Sequence, residues 1–350
     1  PHRNNMGEET PPFFDLGYIM IANLCAYKYP TIYGNWAEMY CHITLALSNL
    51  GYTVNRSPLI DAPSLEKMTI KGIIDNPEDL YIYNHTFIEE LRQQELVRGP
   101  NILILKPTAP TPSHFTIDRI GYAASSSIAY TKPDYENYDS TSFFQRDVPS
   151  YISNRESKWS DREEFQFLNE PLHVPDNHVL ILGQMPGDET VTKMSFGNHW
   201  DKFCQIVDEL KGTQSLVVKV HPTLKREAED WGFYENKIKE WRSSGIIVFE
   251  DFESLYDILP KTKVAILENS TSGIECMMHE VPVISYGYPE YHWETKDLRH
   301  LCQVRDFVNN LSWYNKERAK SFVAWYCQQY QCYDYESTVR RLTELLSNNG

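Results

Sequence analysis

Four small residues, Ser270, Thr271, Ser272 and Gly273, stand between an apolar run, Val264–Leu267, and a helix-like stretch, Ile274–His279. The run reads as a buried strand and residues 281–285 as the next one. The first N–H groups of a helix lack intrahelical partners, and the dipole favours negative charge there. Hydroxyls in the turn add donors, so the loop is an anion site by composition. A phosphate is the expected anion, and a nucleotide sugar is one obvious carrier. The same residues also suit a capped helix that holds no ligand.

Two further groups sit at predicted strand ends. Gln184 and Asp188 follow the strand 179–182, and ligands of open α/β sheets bind at the C-terminal ends of strands. Pro186 and Gly187 make a turn, which lets Asp188 project into a cleft. A carboxylate there could act as a nucleophile or steady an oxocarbenium-like transition state. It could also simply cap the next helix. His221 follows the strand 215–220, and Pro222 ends that strand. A histidine so placed could bond a phosphate oxygen or support a leaving group. Lys219, two residues earlier, points to the same side. Glu275, one turn into the loop's helix, could reach a ribose hydroxyl or be a solvated charge. The stretch 249–256 carries aromatics that could stack a base, or else a plain helix cap at Glu253 or Ser254.

These groups need a scaffold, and the chain alternates strands with helices. Residues 18–23, 51–54, 80–83 and 101–105 read as strands, with helices over 34–50 and around 88–97. Residues 131–176 are polar, aromatic and charged, with one helix expected near 161–168. A second α/β series follows: strands 179–182, 215–220, 246–249 and 264–267, with helices 200–211, 227–243 and 254–259. The pattern predicts an α/β protein of two Rossmann-like doubly wound domains facing a cleft, the GT-B glycosyltransferase arrangement. The expected units are an acceptor-side domain over 1–150 and a nucleotide-sugar domain over 175–312. A helical segment over 313–350 is expected to cross back to the first domain.

Composition removes several classes. The chain has 350 residues and a net charge of −15, without a Lys/Arg run. A nucleic-acid partner would call for a basic face, so none is expected. The 23 Tyr and 8 Trp suit a sugar-handling protein and equally a Tyr-rich core. Seven cysteines are scattered with no CxxC pair, which predicts reduced thiols. No apolar run is long enough to span a bilayer, so no transmembrane segment is expected. No secretory signal is visible. A sequon at Asn269 falls inside the anion loop, and a cytoplasmic location is expected. The chain starts at Pro1, which suggests a processed chain or an excised domain.

No Asp-x-Asp stands at a strand end, so transfer without a metal is expected. Neither a Gly-rich dinucleotide loop nor a Walker loop occurs, and no cofactor is expected.

Four segments recur in a recognisable order: 115–121 (FTIDRIG) with Ser125–Ser127, 182–191 (LGQMPGDETV), 219–223 (KVHPT), and the hydroxyl loop running on to Tyr291. Together they resemble the bacterial capsule polysaccharide synthesis glycosyltransferases, which include retaining β-Kdo transferases. The resemblance covers roughly residues 100–295. It implies a nucleotide-sugar donor and a glycan or polysaccharide acceptor. It makes Asp188 the match to a catalytic nucleophile and Asp118 the acceptor-side carboxylate, a candidate general acid/base. Asp118 could instead pair with Arg119 or shape a turn. Asp118 and Asp188 would then face each other when the domains close. Gln184, Lys219, Ser270, Thr271, Ser272, Gly273 and Glu275 fall on the donor side. Gly34 and Asn35 are expected at the acceptor floor. Lys193, Lys219 and Lys225 are the basic residues available to an acidic donor sugar. Two other functions fit the same sequence: a sugar-nucleotide 2-epimerase of similar fold, and a non-catalytic carbohydrate-binding protein.

Overall fold

The computed structural model describes residues 20–26, 36–58, 76, 78–85, 101–158, 160 and 172–347. Two six-stranded sheets organise them. The first holds β1 (Ile21–Ala26), β2 (Thr53–Pro58), β3 (Leu80–Asn84), β4 (Ile102–Pro107) and β5 (Phe115–Asp118). The second holds β6 (His178–Leu182), β7 (Leu216–Lys219), β8 (Ile247–Phe249), β9 (Thr262–Leu267), β10 (Val283–Ser285) and β11 (Lys296–Asp297). The last strand, β12 (Gln331–Cys332), returns to the first sheet.

The second sheet is parallel throughout, in the order β11-β10-β9-β6-β7-β8. Its strands are apolar runs because helices cover both faces of a parallel sheet. Every residue of β6 is buried. The strand order reverses between β6 and β9, and a crevice opens beyond their C-terminal ends at such a switch point. The loops carrying Gln184 and Ser270 therefore meet there.

The first sheet runs β12-β5-β4-β3-β1-β2. It is mixed, since β5 runs antiparallel to β4 and β12 antiparallel to β5. The tail is less uniformly helical than its composition suggests. Helix Lys316–Trp325 packs on helix Ser272–Met278 of the second unit. A wide helical turn, Tyr326–Tyr330, leads into β12, and helix Tyr335–Ser347 then lies on helix Trp36–Asn49. Leu342 and Leu345 enter the same apolar cluster as Met39, Ile43 and Leu47. The helix expected over 227–243 begins later, at Trp231, where the Asp230 side chain accepts from Phe233 N–H. The helices expected around 88–97 and 161–168 lie outside the described residues.

Polar bonds tie the two units together. Trp293 Nε1 donates to the Ile128 carbonyl at 2.7 Å. Arg155 meets Asp257 at 2.9 Å. Within the first unit, Arg341 Nε donates to the Ile117 carbonyl at 3.2 Å and fastens the returning tail to β5. Among the described residues no helix is long and apolar enough to cross a membrane.

Candidate active site

A cavity of about 300 Å³ lies where the sheets face each other. Its second-domain wall is built from Gln184, Asp188, Lys219, His221, Ser270, Thr271, Ser272 and Glu275. Phe252, Glu253, Ser254 and Tyr256 close one end. His85, Lys106, Pro107 and Ala109 line it from the first domain, and Ser157 and Lys158 from the connecting stretch.

Asp188 is exposed and caps the short helix Glu189–Thr192. Its Oδ1 accepts from Thr190 N at 2.8 Å and from the Thr190 hydroxyl. No described residue bonds Oδ2, and the side chain lines the cavity. Capping and availability thus coexist in this side chain.

Asp118 is elsewhere, contrary to the expectation that it faces Asp188. It is fully buried, and the cavity is not lined by it. The N–H groups of Ile120, Gly121 and Ser127 donate to it at 2.7, 3.1 and 3.0 Å. Tyr330 Oη adds a bond at 2.8 Å and Ser127 Oγ another. Backbone donors in this number fix a turn and leave no lone pair for an acceptor. Gly34 and Asn35 lie outside the described residues. Lys193 and Lys225 are exposed and do not line the cavity. Its basic groups are Lys106, Lys158 and Lys219.

His221 is held by its neighbours. Its Nδ1 lies 2.9 Å from Thr223 Oγ1 and accepts from Thr223 N–H at 3.3 Å. That assignment leaves the proton on Nε2. Burial, helped by Lys158 and Lys219, lowers its pKa to about 4, so the ring is neutral at pH 7. A neutral ring with Nε2–H is a hydrogen-bond donor, suited to a phosphate oxygen. Lys219 is spent locally: its Nζ donates to the Asp251 carbonyl at 2.8 Å and to Glu253 at 3.1 Å. It braces the loop of Phe252 and Tyr256.

In the hydroxyl loop, Ser270 Oγ accepts from Ser272 N–H at 3.3 Å and lies 3.2 Å from Ser272 Oγ. Gly273 does not line the cavity, and its role is packing. A Cβ there would lie 2.3 Å from Tyr291 Oη, and that hydroxyl donates to the Ser270 carbonyl. The glycine lets Tyr291 pin the loop from behind. Asn269 is buried, and its Nδ2 donates to the Thr190 carbonyl at 2.6 Å.

Glu275 is a buried group, not a solvated helix charge. Burial raises its pKa to about 7, against the pull of Ser272 and Lys158. The folded value lies above the unfolded one. Its contribution to stability is therefore full at acid pH and is lost as pH rises through about 7. Glu275→Gln should melt with the wild type near pH 4 and be more stable at pH 8, by roughly 3 kcal/mol. Equal differences between the two proteins at both pH values would show that the charge bears no burial cost.

A network invisible in the motifs supports this wall. Glu268, fully buried at the end of β9, bonds His199 Nδ1, Lys202 Nζ and Ser195 Oγ. His199 Nε2 in turn accepts from Gln184 N–H at 3.1 Å. Gln184 Oε1 accepts from Asn269 N–H at 2.9 Å, and its Nε2 lies 3.5 Å from Thr190 Oγ1. The loops after β6 and β9 are thereby locked to each other. Gln184 reaches the cavity, but its amide is committed to this lock. Spacing held no signal for Glu268 or His199. His85 follows β3 directly, and the strand-end rule that found His221 also applies to it.

Among the described residues, no group of three or more His, Cys, Asp or Glu side chains is arranged to hold a metal ion.

Two Rossmann-like α/β domains facing a cleft, with polar groups gathered at the C-terminal strand ends, define a GT-B type protein. The chain belongs to the capsule polysaccharide biosynthesis protein family, which residues 109–318, more than half of it, match. Two solved structures share the fold. One is the β-Kdo 2,4 transferase of Thermosulfurimonas dismutans KpsC, at 17% identity and a TM-score of 0.57, over 95% of this chain and 99% of that one. The other is the β-Kdo 2,7 transferase of the same KpsC, at 13% identity and a TM-score of 0.50, over 94% and 100%. No curated protein matches the chain in sequence.

Proposed function

We propose that this protein is a glycosyltransferase that moves a sugar from a nucleotide-sugar donor to a glycan or polysaccharide acceptor. One observation carries the reading: Asp188, His221, Ser270, Ser272 and Glu275 converge on a single interdomain cavity. The hydroxyl loop and neutral His221 would take the donor phosphate. Phe252 and Tyr256 would flank the base, and Glu275 would reach the ribose. Lys106 and Lys158 would face the donor's charge from the opposite wall. Asp188 would meet the anomeric carbon, which gives transfer with retention of configuration. Phosphate charge met by donors and dipoles in this way needs no bridging cation.

The test is a thermal-shift screen against CMP, UDP, GDP and their sugars, followed by a transfer assay in EDTA. A ligand at ~100 Kd adds about 2.7 kcal/mol of stability. The matching nucleotide should stabilise the wild type and lose most of that effect in the folded double variant Ser270→Ala, Ser272→Ala. Undiminished stabilisation of the variant would remove the hydroxyl loop from the site. Epimer formation without any transfer would favour the 2-epimerase, and binding without turnover the carbohydrate-binding protein. Activity abolished by EDTA and restored by Mg²⁺ or Mn²⁺ would defeat metal-independent transfer.

A further inference from the structure

We propose that Glu189, held across the cleft by His85, is the base that takes the proton of the acceptor hydroxyl. The inference rests on the transferase reading above and adds to it the group that completes the reaction.

The two residues come from different domains. His85 stands just beyond β3 of the first sheet, and Glu189 follows Asp188 beyond β6 of the second. His85 Nε2 lies 3.3 Å from Glu189 Oε1, and both side chains line the cavity. Burial, Lys106 and Lys158 hold the His85 pKa well below its usual value. The ring is therefore neutral near pH 7, and its Nε2 stands in close polar contact with the carboxylate. The Tyr122 hydroxyl also bonds Glu189. One carboxylate is thus met by two neutral groups of the first domain, the His85 ring and the Tyr122 hydroxyl.

Its environment differs from that of its neighbour in sequence. Asp188 is exposed, whereas Glu189 is partly buried against the first domain. Burial raises the Glu189 pKa, Asp188 adds to the rise, and Tyr122, Lys106 and Lys193 oppose it. A carboxylate with a raised pKa is the better proton acceptor near neutral pH. Two adjacent carboxyl groups in unlike surroundings form the pattern in which acid/base and nucleophilic roles divide. Asp118 cannot share the work, because every lone pair it has is committed in the first-domain core.

The chemistry balances in two steps. Asp188 Oδ2 bonds the anomeric carbon while the carbon–oxygen bond to phosphate breaks, and the nucleotide leaves with that electron pair. The acceptor oxygen then bonds the same carbon, the ester bond to Asp188 breaks, and the carboxylate regains its electrons. The acceptor's proton passes to Glu189 in this second step. Only the second step needs a base, because the departing phosphate is already a stable anion.

That asymmetry supplies the test, made on the full chain with a panel of CMP-, UDP- and GDP-sugars. Glu189→Gln should bind nucleotide as the wild type does and release about one equivalent of nucleotide per protein. It should then stall with one sugar's mass on Asp188, and transfer should fall by ~10²-fold or more. Azide, a nucleophile that needs no base, should restore turnover and yield the glycosyl azide. Wild-type transfer should decline as pH falls through the Glu189 pKa, and this limb should vanish in the variant. Glu189→Asp keeps the carboxyl and should recover part of the rate; should Glu189→Gln fail to fold, its acid limb decides. Transfer by Glu189→Gln within threefold of wild type would overturn the assignment. So would failure to release the first equivalent despite normal nucleotide binding. A wild-type protein that releases nucleotide from no donor in the panel defeats the transferase reading itself, and this proposal with it.

Discussion

Asp188→Asn is expected to lower turnover at least ~10²-fold while leaving the fold and nucleotide affinity near wild type. Asn caps a helix about as well as Asp, so the bonds from Thr190 to Oδ1 survive the change. The negative charge of a side chain that lines the cavity is what disappears. Losing a preorganised electrostatic group costs on the order of 10²–10³ in turnover. A nucleophile costs more, since the covalent route closes. Intact-protein mass spectrometry after mixing with the correct donor should show one added sugar on the wild type and none on the variant. A fully active Asp188→Asn protein would reduce this side chain to a cap. The matching loss in Glu189→Gln should differ in kind, because there the adduct forms and persists.

The largest effect on stability is expected at Glu268. Burial penalises its charge, but His199, Lys202 and Ser195 outweigh that and hold its pKa below the usual carboxylate range. Glu268→Ala would strand a buried imidazole and an ammonium that now pair with it. Removing one partner of a buried ion pair costs about 3–5 kcal/mol. Urea unfolding should show a loss of that order, and the Gln184 and Asn269 loops should loosen with it. The sign with pH follows from the depressed pKa. The stabilisation is present above the unfolded carboxyl pKa and is lost as pH falls through the folded one. Wild type and variant should therefore converge in acid. A loss under 1 kcal/mol at pH 7 would mean that the cluster merely breaks even.

Much of the scaffold was legible in local sequence. The second sheet's apolar runs at 179–182, 215–220, 246–249 and 264–267 correspond to β6, β7, β8 and β9 within a residue or two. Fully buried strands must be apolar along their whole length, so the signal is strong. Residues at strand ends, His221 and the Ser270 loop among them, were placed by the same local rule. The mixed character of the first sheet was not legible. β12 is two residues long, and its pairing with β5 spans 215 positions, farther than any periodicity reaches.

The sequence by itself determined the α/β alternation, the hydroxyl-rich loop after β9 and the grouping of Gln184, Asp188, Lys219 and His221 at strand ends. Each of these follows from spacing along a few turns or strands. Only the tertiary structure decided what the carboxylates can do. Asp118 is engaged by Tyr330, 212 residues away, while Glu189 meets His85 from the other domain. Burial raises the Glu275 pKa to about 7, whereas His199, Lys202 and Ser195 hold that of Glu268 below the usual carboxylate range. A carboxyl group's role depends on its solvation and on the charges around it. Both are set by segments distant in the chain, so residue type and spacing leave them open.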